Sequence, residues 1–238
     1  MKKYLLILMS CLTISAANAS LIDFTGGTST LTGSGTCVTT SGNDSCGSGV
    51  DYYTEDGFIF DFIGASGYVG EYYGVDGTGD YNDVIHSHWA PNHGTMTAME
   101  ITKVGGGFFD LNSFILTSNT SHGGGVASGG ELTYVEAWSG GIMIERLLLT
   151  PESWGFVDVH HVGNAYQNDP EIFLSDNFDA VDLVRFTSDT HIHDAYCFGL
   201  DGFYINEESP NAVPEPMGIL LFGIGLIGLF ANRKNKNI

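Results

Sequence analysis

Glycine is the constraint from which the rest of this sequence follows: 33 of its 238 residues are glycine, set in clusters between short apolar runs along most of the chain. Each glycine in a helix interior costs roughly 1 kcal/mol relative to alanine, so a mainly helical body is excluded. A content of 43% hydrophobic residues, with 15 Phe and 11 Tyr, is still enough to build a core, which excludes a disordered chain. A β protein with glycine in its turns satisfies both limits.

The strand signals agree. Phe58, Phe60 and Phe62 alternate with Ile59 and Asp61, and Leu132, Tyr134, Glu136 and Trp138 alternate with Thr133, Val135 and Ala137, the period of two that a strand with one buried face requires. Similar runs lie at Leu21–Thr25, Tyr68–Tyr73, Thr95–Val104, Phe108–Thr117, Gly141–Thr150, Gly155–His160, Val181–Thr187 and Tyr196–Asn206. About ten strands without an internal linker predict one all-β domain over 20–210, a two-sheet β-sandwich of jelly-roll type. Ser175–Leu183 has room for one helical turn, and no internal repeat suggests a solenoid or propeller.

The charges are sorted along the chain. Of eight basic residues, Lys2 and Lys3 open it and Arg233, Lys234 and Lys236 close it, so Lys103, Arg146 and Arg185 stand alone against 28 carboxylates between Asp23 and Glu215, a formal charge of −25. So acidic a surface repels phosphate backbones and excludes nucleic acid as a partner. The opening basic residues precede an apolar run from Tyr4 to Ile14 and then Ala17-Asn18-Ala19, the three parts of a secretory signal peptide over 1–19 with cleavage after Ala19. A lipoprotein site at Cys11 is the weaker reading, because it would leave a very short apolar region.

At the other end, Val213-Pro214-Glu215-Pro216 precedes a charge-free stretch over 217–231 and then Arg233-Lys234-Asn235-Lys236. A helix of that length reaches about 22 Å, short of the roughly 30 Å hydrocarbon core, so the basic residues must snorkel or the bilayer must thin for it to span. The basic tail stays cytoplasmic, which places the acidic body outside.

Residues 211–238 resemble the PEP-CTERM sorting signal of Gram-negative bacteria: Pro-Glu-Pro, a short transmembrane helix and a basic tail, in that order, over about 25 residues. The resemblance implies that Pro214, Glu215 and Pro216 are the motif recognised by an exosortase. It also implies an intermediate anchored in the inner membrane and a final place at the cell surface or in the extracellular matrix. Biofilm and exopolysaccharide are that family's setting. Some members of the family carry an ice-binding label. The body also looks like the jelly-roll ectodomains that precede such tails, through Phe109-Asp110-Leu111-Asn112-Ser113-Phe114 and Phe198-Gly199-Leu200-Asp201-Gly202-Phe203-Tyr204-Ile205, and those ectodomains are similar in outline to carbohydrate-binding modules.

Candidate sites follow from residue chemistry. Asp76, Asp80, Asn82 and Asp83 crowd a glycine-rich loop that could gather oxygen ligands for Ca²⁺, although the loop lacks EF-hand spacing and a solvated acidic turn is the simpler reading. His86-x-His88, with His93 nearby, and His191-x-His193-Asp194 each place two imidazoles on one strand face, as a shared metal would need; histidines at exposed strand ends are the commoner cause. On an oxidising route Cys37 and Cys46 would form a disulfide and leave Cys197 a buried thiol, with either pairing to Cys197 as the alternative. Tyr72, Tyr73 and Trp89 are the rings chosen for stacking on a glycan, and packing in the core competes with that for every ring.

Enzyme signatures are sparse: no nucleophile elbow, phosphate loop or zinc-protease motif occurs. The expected activity is therefore non-catalytic binding of polysaccharide or matrix partners. The competing reading is a polysaccharide-active enzyme using Glu131, Glu136 and Glu145 as acid and base; a purely structural matrix component is a third. Thr28, Thr30 and Thr32 alternate, but so small an array does not argue for ice.

Overall fold

The computed structural model describes residues 20–33, 35–39, 48–71, 83–90, 94–120, 127–153, 170–189 and 197–206. The chain divides into two compact units, Met1–Glu208 and Ser209–Ile238, and everything described belongs to the first. The expected leader over 1–19 and the sorting tail over 211–238 lie outside the described residues. Among the described residues no helix is long and apolar enough to cross a membrane.

Among the described residues, fourteen strands form one antiparallel sheet. They are β1 (Ser20–Ile22), β2 (Thr28–Leu31), β3 (Thr36–Val38), β4 (Ser48–Glu55), β5 (Phe58–Ile63), β6 (Gly67–Glu71), β7 (Asp83–His88), β8 (Ala98–Lys103), β9 (Leu111–Thr120), β10 (Thr133–Ser139), β11 (Ile142–Leu148), β12 (Glu171–Phe173), β13 (Leu183–Ser188) and β14 (Cys197–Ile205). The main path runs β11-β10-β13-β8-β5-β4-β6-β7-β14-β9-β12, with β1 on β14, β2 on β4 and β3 on β2. The one helical turn expected near Ser175 is a 3₁₀ turn over Asp176–Phe178, capped by the Ser175 hydroxyl, which accepts from the Asn177 N–H.

Two tight hairpins explain much of the local order. Asp56 and Gly57 sit at φ +47° and +84° between β4 and β5, and Gly140 and Gly141 at +58° and +77° between β10 and β11. A two-residue turn with both residues left-handed matches the twist of the strands that it joins, and glycine adopts that conformation without a Cβ clash.

The expectation of two separate sheets becomes one continuous sheet that curls over itself. Strand β4 pairs with β5 and also with β6, and its pairings with β2 and β6 are both interrupted near Val50, beside Gly49 at φ +97°. An irregularity of that kind bends a strand and strengthens its twist, so the sheet turns a corner here and continues. The two wings then meet across one core. Phe60 of β5 stands 5.1 Å from Phe203 of β14, and Phe186 of β13 stands 5.3 Å from Phe114 of β9, ring centre to ring centre. Phe24, Phe60, Phe114, Phe186 and Phe203 are all fully buried.

Candidate functional site

With the inner faces filled by carbon, the chemistry of this body lies on its outer faces. Register places Tyr52 opposite Asp61, Asp61 opposite Glu100, Glu100 opposite Arg185, Arg185 opposite Glu136 and Glu136 opposite Arg146. Directly opposed residues share a face, so these six side chains form one row across β4, β5, β8, β13, β10 and β11. Alternation fixes which face it is. Their neighbours Tyr53, Phe60, Ile101, Val184 and Val135 are all buried in the core, so the row points outward.

The row is knit by charge-assisted bonds. The Arg185 guanidinium donates through Nε to Glu100 Oε1 at 2.8 Å and pairs with the same oxygen through Nη2. Arg146 Nε lies 3.1 Å from Glu136 Oε1, while its two terminal nitrogens bind the Asp189 carboxylate at 3.1 and 2.6 Å. That bidentate bond to Asp189 is the chief reason that the Arg146 guanidinium holds its proton more tightly than usual. Burial, helped by Asp51 and Glu100, raises the Asp61 carboxyl above its ordinary range.

Aromatic rings flank the row. Arg146 lies over the Tyr134 ring at 3.7 Å, Arg185 lies over the Trp138 ring at 5.0 Å, and Tyr52 is 36% exposed. Trp138 Nε1 donates to Glu136 Oε2 at 3.0 Å, which fixes the plane of its ring. Two of the only three cations between the basic ends of the chain thus stand on this face beside rings. The arrangement presents flat apolar surfaces at fixed angles between hydrogen-bonding groups already locked in position.

The residues chosen from sequence for glycan stacking lie elsewhere. Trp89 is 1% exposed, with its ring 5.1 Å from that of Phe198, so the core covers the faces a sugar would use and Trp89 is corrected to a core residue. Tyr72 and Tyr73 lie outside the described residues. So do Asp76, Asp80 and Asn82 of the calcium loop; Asp83 opens β7, where its backbone pairs with Glu71. Pro214, Glu215 and Pro216 also fall outside. Cys37 is disulfide-bonded, and Cys46 lies outside the described residues.

The glutamates of the enzyme reading have structural tasks. Glu131 accepts from the Ser128 and Gly129 backbone N–H groups at 2.6 and 2.8 Å. Glu136 accepts from Thr187 and Trp138 besides pairing with Arg146, and Glu145 accepts from the Ser175 hydroxyl at 2.5 Å. His86 and His88 stand on one face of β7, as their spacing predicts, and β14 brings Cys197 opposite His88.

Sequence reasoning missed the outer row. The alternation Tyr134-x-Glu136-x-Trp138 is visible in the sequence and marks one strand face, but the partners from five other strands depend on register. Comparison with protein-family models, with curated proteins and with solved structures gave no match.

Proposed function

We propose that this chain is an exported, non-catalytic protein of the cell surface or extracellular matrix that binds exopolysaccharide through the outer face bearing Tyr52, Tyr134 and Trp138. The observation that carries the reading is the row itself: exposed and half-buried rings held beside paired arginines and carboxylates. Sugar rings offer an apolar face for stacking and hydroxyls at their edge for hydrogen bonds, and this face offers the complement of both. The curled sheet, with its two wings facing across one core, supports a sandwich of jelly-roll type. The engagement of Glu131, Glu136 and Glu145 in fixed hydrogen bonds favours binding over hydrolysis. The leader over 1–19 and the PEP-CTERM tail with its Pro214-Glu215-Pro216 motif supply the route, through an exosortase, to that location.

The test uses the full chain in native gels cast with purified acidic and neutral bacterial exopolysaccharides. Retardation by at least one of them is expected, without shortening of the polymer. Trp138→Ala and Tyr52→Ala should each weaken it roughly tenfold, about 1.4 kcal/mol. Unchanged mobility in every polymer would overturn the reading, and so would retardation that both variants retain. Release of oligosaccharides would replace it with the enzyme.

A further inference from the structure

We propose that His86, His88 and Cys197 bind a zinc ion on the outer face of β7 and β14. The ligand atoms of the three residues all lie within 4.8 Å of one another. Strand alternation places both imidazoles on one face, with ring centres 4.7 Å apart, and the antiparallel register brings Cys197 directly opposite His88 and Gly199 opposite His86. Glycine adds no side chain there, so nothing from β14 competes for the space across from His86.

The spacing suits one shared ion. With Zn–S near 2.3 Å and Zn–N near 2.0–2.1 Å at tetrahedral angles, sulfur and nitrogen on the same zinc stand about 3.5 Å apart. Cys197 Sγ lies 3.4 Å from His88 Nδ1. His86 and Cys197 are 3% and 6% exposed, which keeps water from competing for the ion. A cleft of about 160 Å³, lined by Tyr68, His86, Ser87 and His88 among others, gives a path in from solvent.

A second observation comes from β9, on the other side of β14. Ser118 and Thr120 lie opposite Gly199 and Cys197 and so share their face. Both hydroxyl groups are fully buried, and neither has a hydrogen-bond partner among the described residues. Buried hydroxyls without partners are rare, and beside a metal thiolate they would donate to the sulfur and hold it in place.

Donor type selects the ion. Two imidazoles and a thiolate are borderline to soft ligands, which disfavours Ca²⁺ and Mg²⁺ and suits zinc. Binding releases the thiol proton to solvent and forms a Zn–S bond, with no change of oxidation state. The strongly acidic body also raises the local concentration of divalent cations.

The test loads the full chain with zinc, and separately with Co²⁺ as a coloured substitute. One zinc per chain should survive gel filtration, and the cobalt form should show a sulfur-to-metal charge-transfer band in the near ultraviolet, which the abundant surface carboxylates cannot produce. Cys197→Ser should remove that band and weaken zinc binding at least tenfold, and His86→Gln should weaken it likewise. Zinc should raise the melting temperature of the wild type and leave that of Cys197→Ser unmoved. Should either variant fail to fold, X-ray absorption of the zinc-loaded wild type decides: one sulfur and two imidazole nitrogens in the shell support the site. A shell of oxygens, zinc retained equally by Cys197→Ser, or a thiol and imidazole that merely share a proton with no metal bound would each overturn it.

Discussion

At the residue scale, the most informative group lies away from both candidate sites. Phe24 holds φ +59°, a left-handed conformation that costs a bulky side chain of order 1–3 kcal/mol, and it is fully buried. Its N–H donates to Glu55 Oε2 at 3.1 Å, and the Tyr53 hydroxyl donates to the same oxygen at 2.9 Å. The Gly27 N–H in turn donates to the Tyr53 hydroxyl at 3.1 Å. Burial, with Asp23 and Asp56 nearby, lifts the Glu55 carboxyl from 4.5 to about 7, against the opposing pull of the Tyr53 hydrogen bond. The folded state therefore binds more protons than the unfolded chain between those two values, so the contribution of Glu55 is present below pH 4.5 and is lost as pH rises to 7. Allowing for the partial exposure of the group, the loss is on the order of 1–2 kcal/mol. Glu55→Gln keeps an acceptor for both bonds and cannot ionise. It should remove this slope from a plot of unfolding free energy against pH, and it should be more stable than the wild type at pH 8. Parallel curves for the two proteins would rule out this role for Glu55.

At the element scale, β10 and β11 form one hairpin with opposite surroundings. Strand β10 lies between β11 and β13, and Val135, Glu136 and Ala137 are buried. Strand β11 is a sheet edge among the described residues, and it exposes Ile142 by 67%, Ile144 by 48% and Leu148 by 50%. An apolar edge strand offers unpaired backbone groups to another chain, and a lysine on such an edge discourages that pairing. Ile144→Lys should therefore lower light scattering in concentrated solution while moving the unfolding free energy by less than about 0.5 kcal/mol. A large loss of stability would instead mean that β11 is held by its apolar side chains.

The same scale explains which strands the sequence revealed. Strand β5 follows strict alternation and is unmistakable. Strand β7, Asp83–His88, shows itself in the sequence only through the His86-x-His88 spacing and not as an apolar run, because one face includes Ser87 and the other carries histidines, so no polarity pattern separates the two. Strand β4 hides behind Gly49 and the irregularity beside it. Strands β3 and β12 have three residues each, too few to display a period, and only their neighbours make them strands.

For the whole molecule, Phe203 is the point where the wings join. Its ring stands 5.1 to 6.2 Å from those of Phe24, Phe60, Phe114 and Phe186, which come from the β1–β2 connection and from β5, β9 and β13. Removing it opens a cavity between both layers at once. Phe203→Ala should cost roughly 3–5 kcal/mol, and tryptophan fluorescence and far-ultraviolet circular dichroism should still report one coincident transition. Two separate transitions would mean that the wings fold independently.

What the sequence alone determined is local. Glycine content and alternation excluded helices and placed most strands, and the clustering of basic residues at the two ends separated an acidic body from its flanks, because backbone conformation and net charge depend on residue type and near neighbours. Tertiary structure decided the rest. The outer row draws on six strands separated by up to 133 positions, Tyr52 to Arg185, and the candidate zinc ligands join His88 to Cys197 across 109 positions. Such groupings are set by the register of strands that meet only when the sheet curls, and register is fixed by burial of the whole core rather than by any single segment. Trp89 carries the same lesson in reverse: an aromatic beside a histidine looks available in sequence, and the closing of the core put it out of reach.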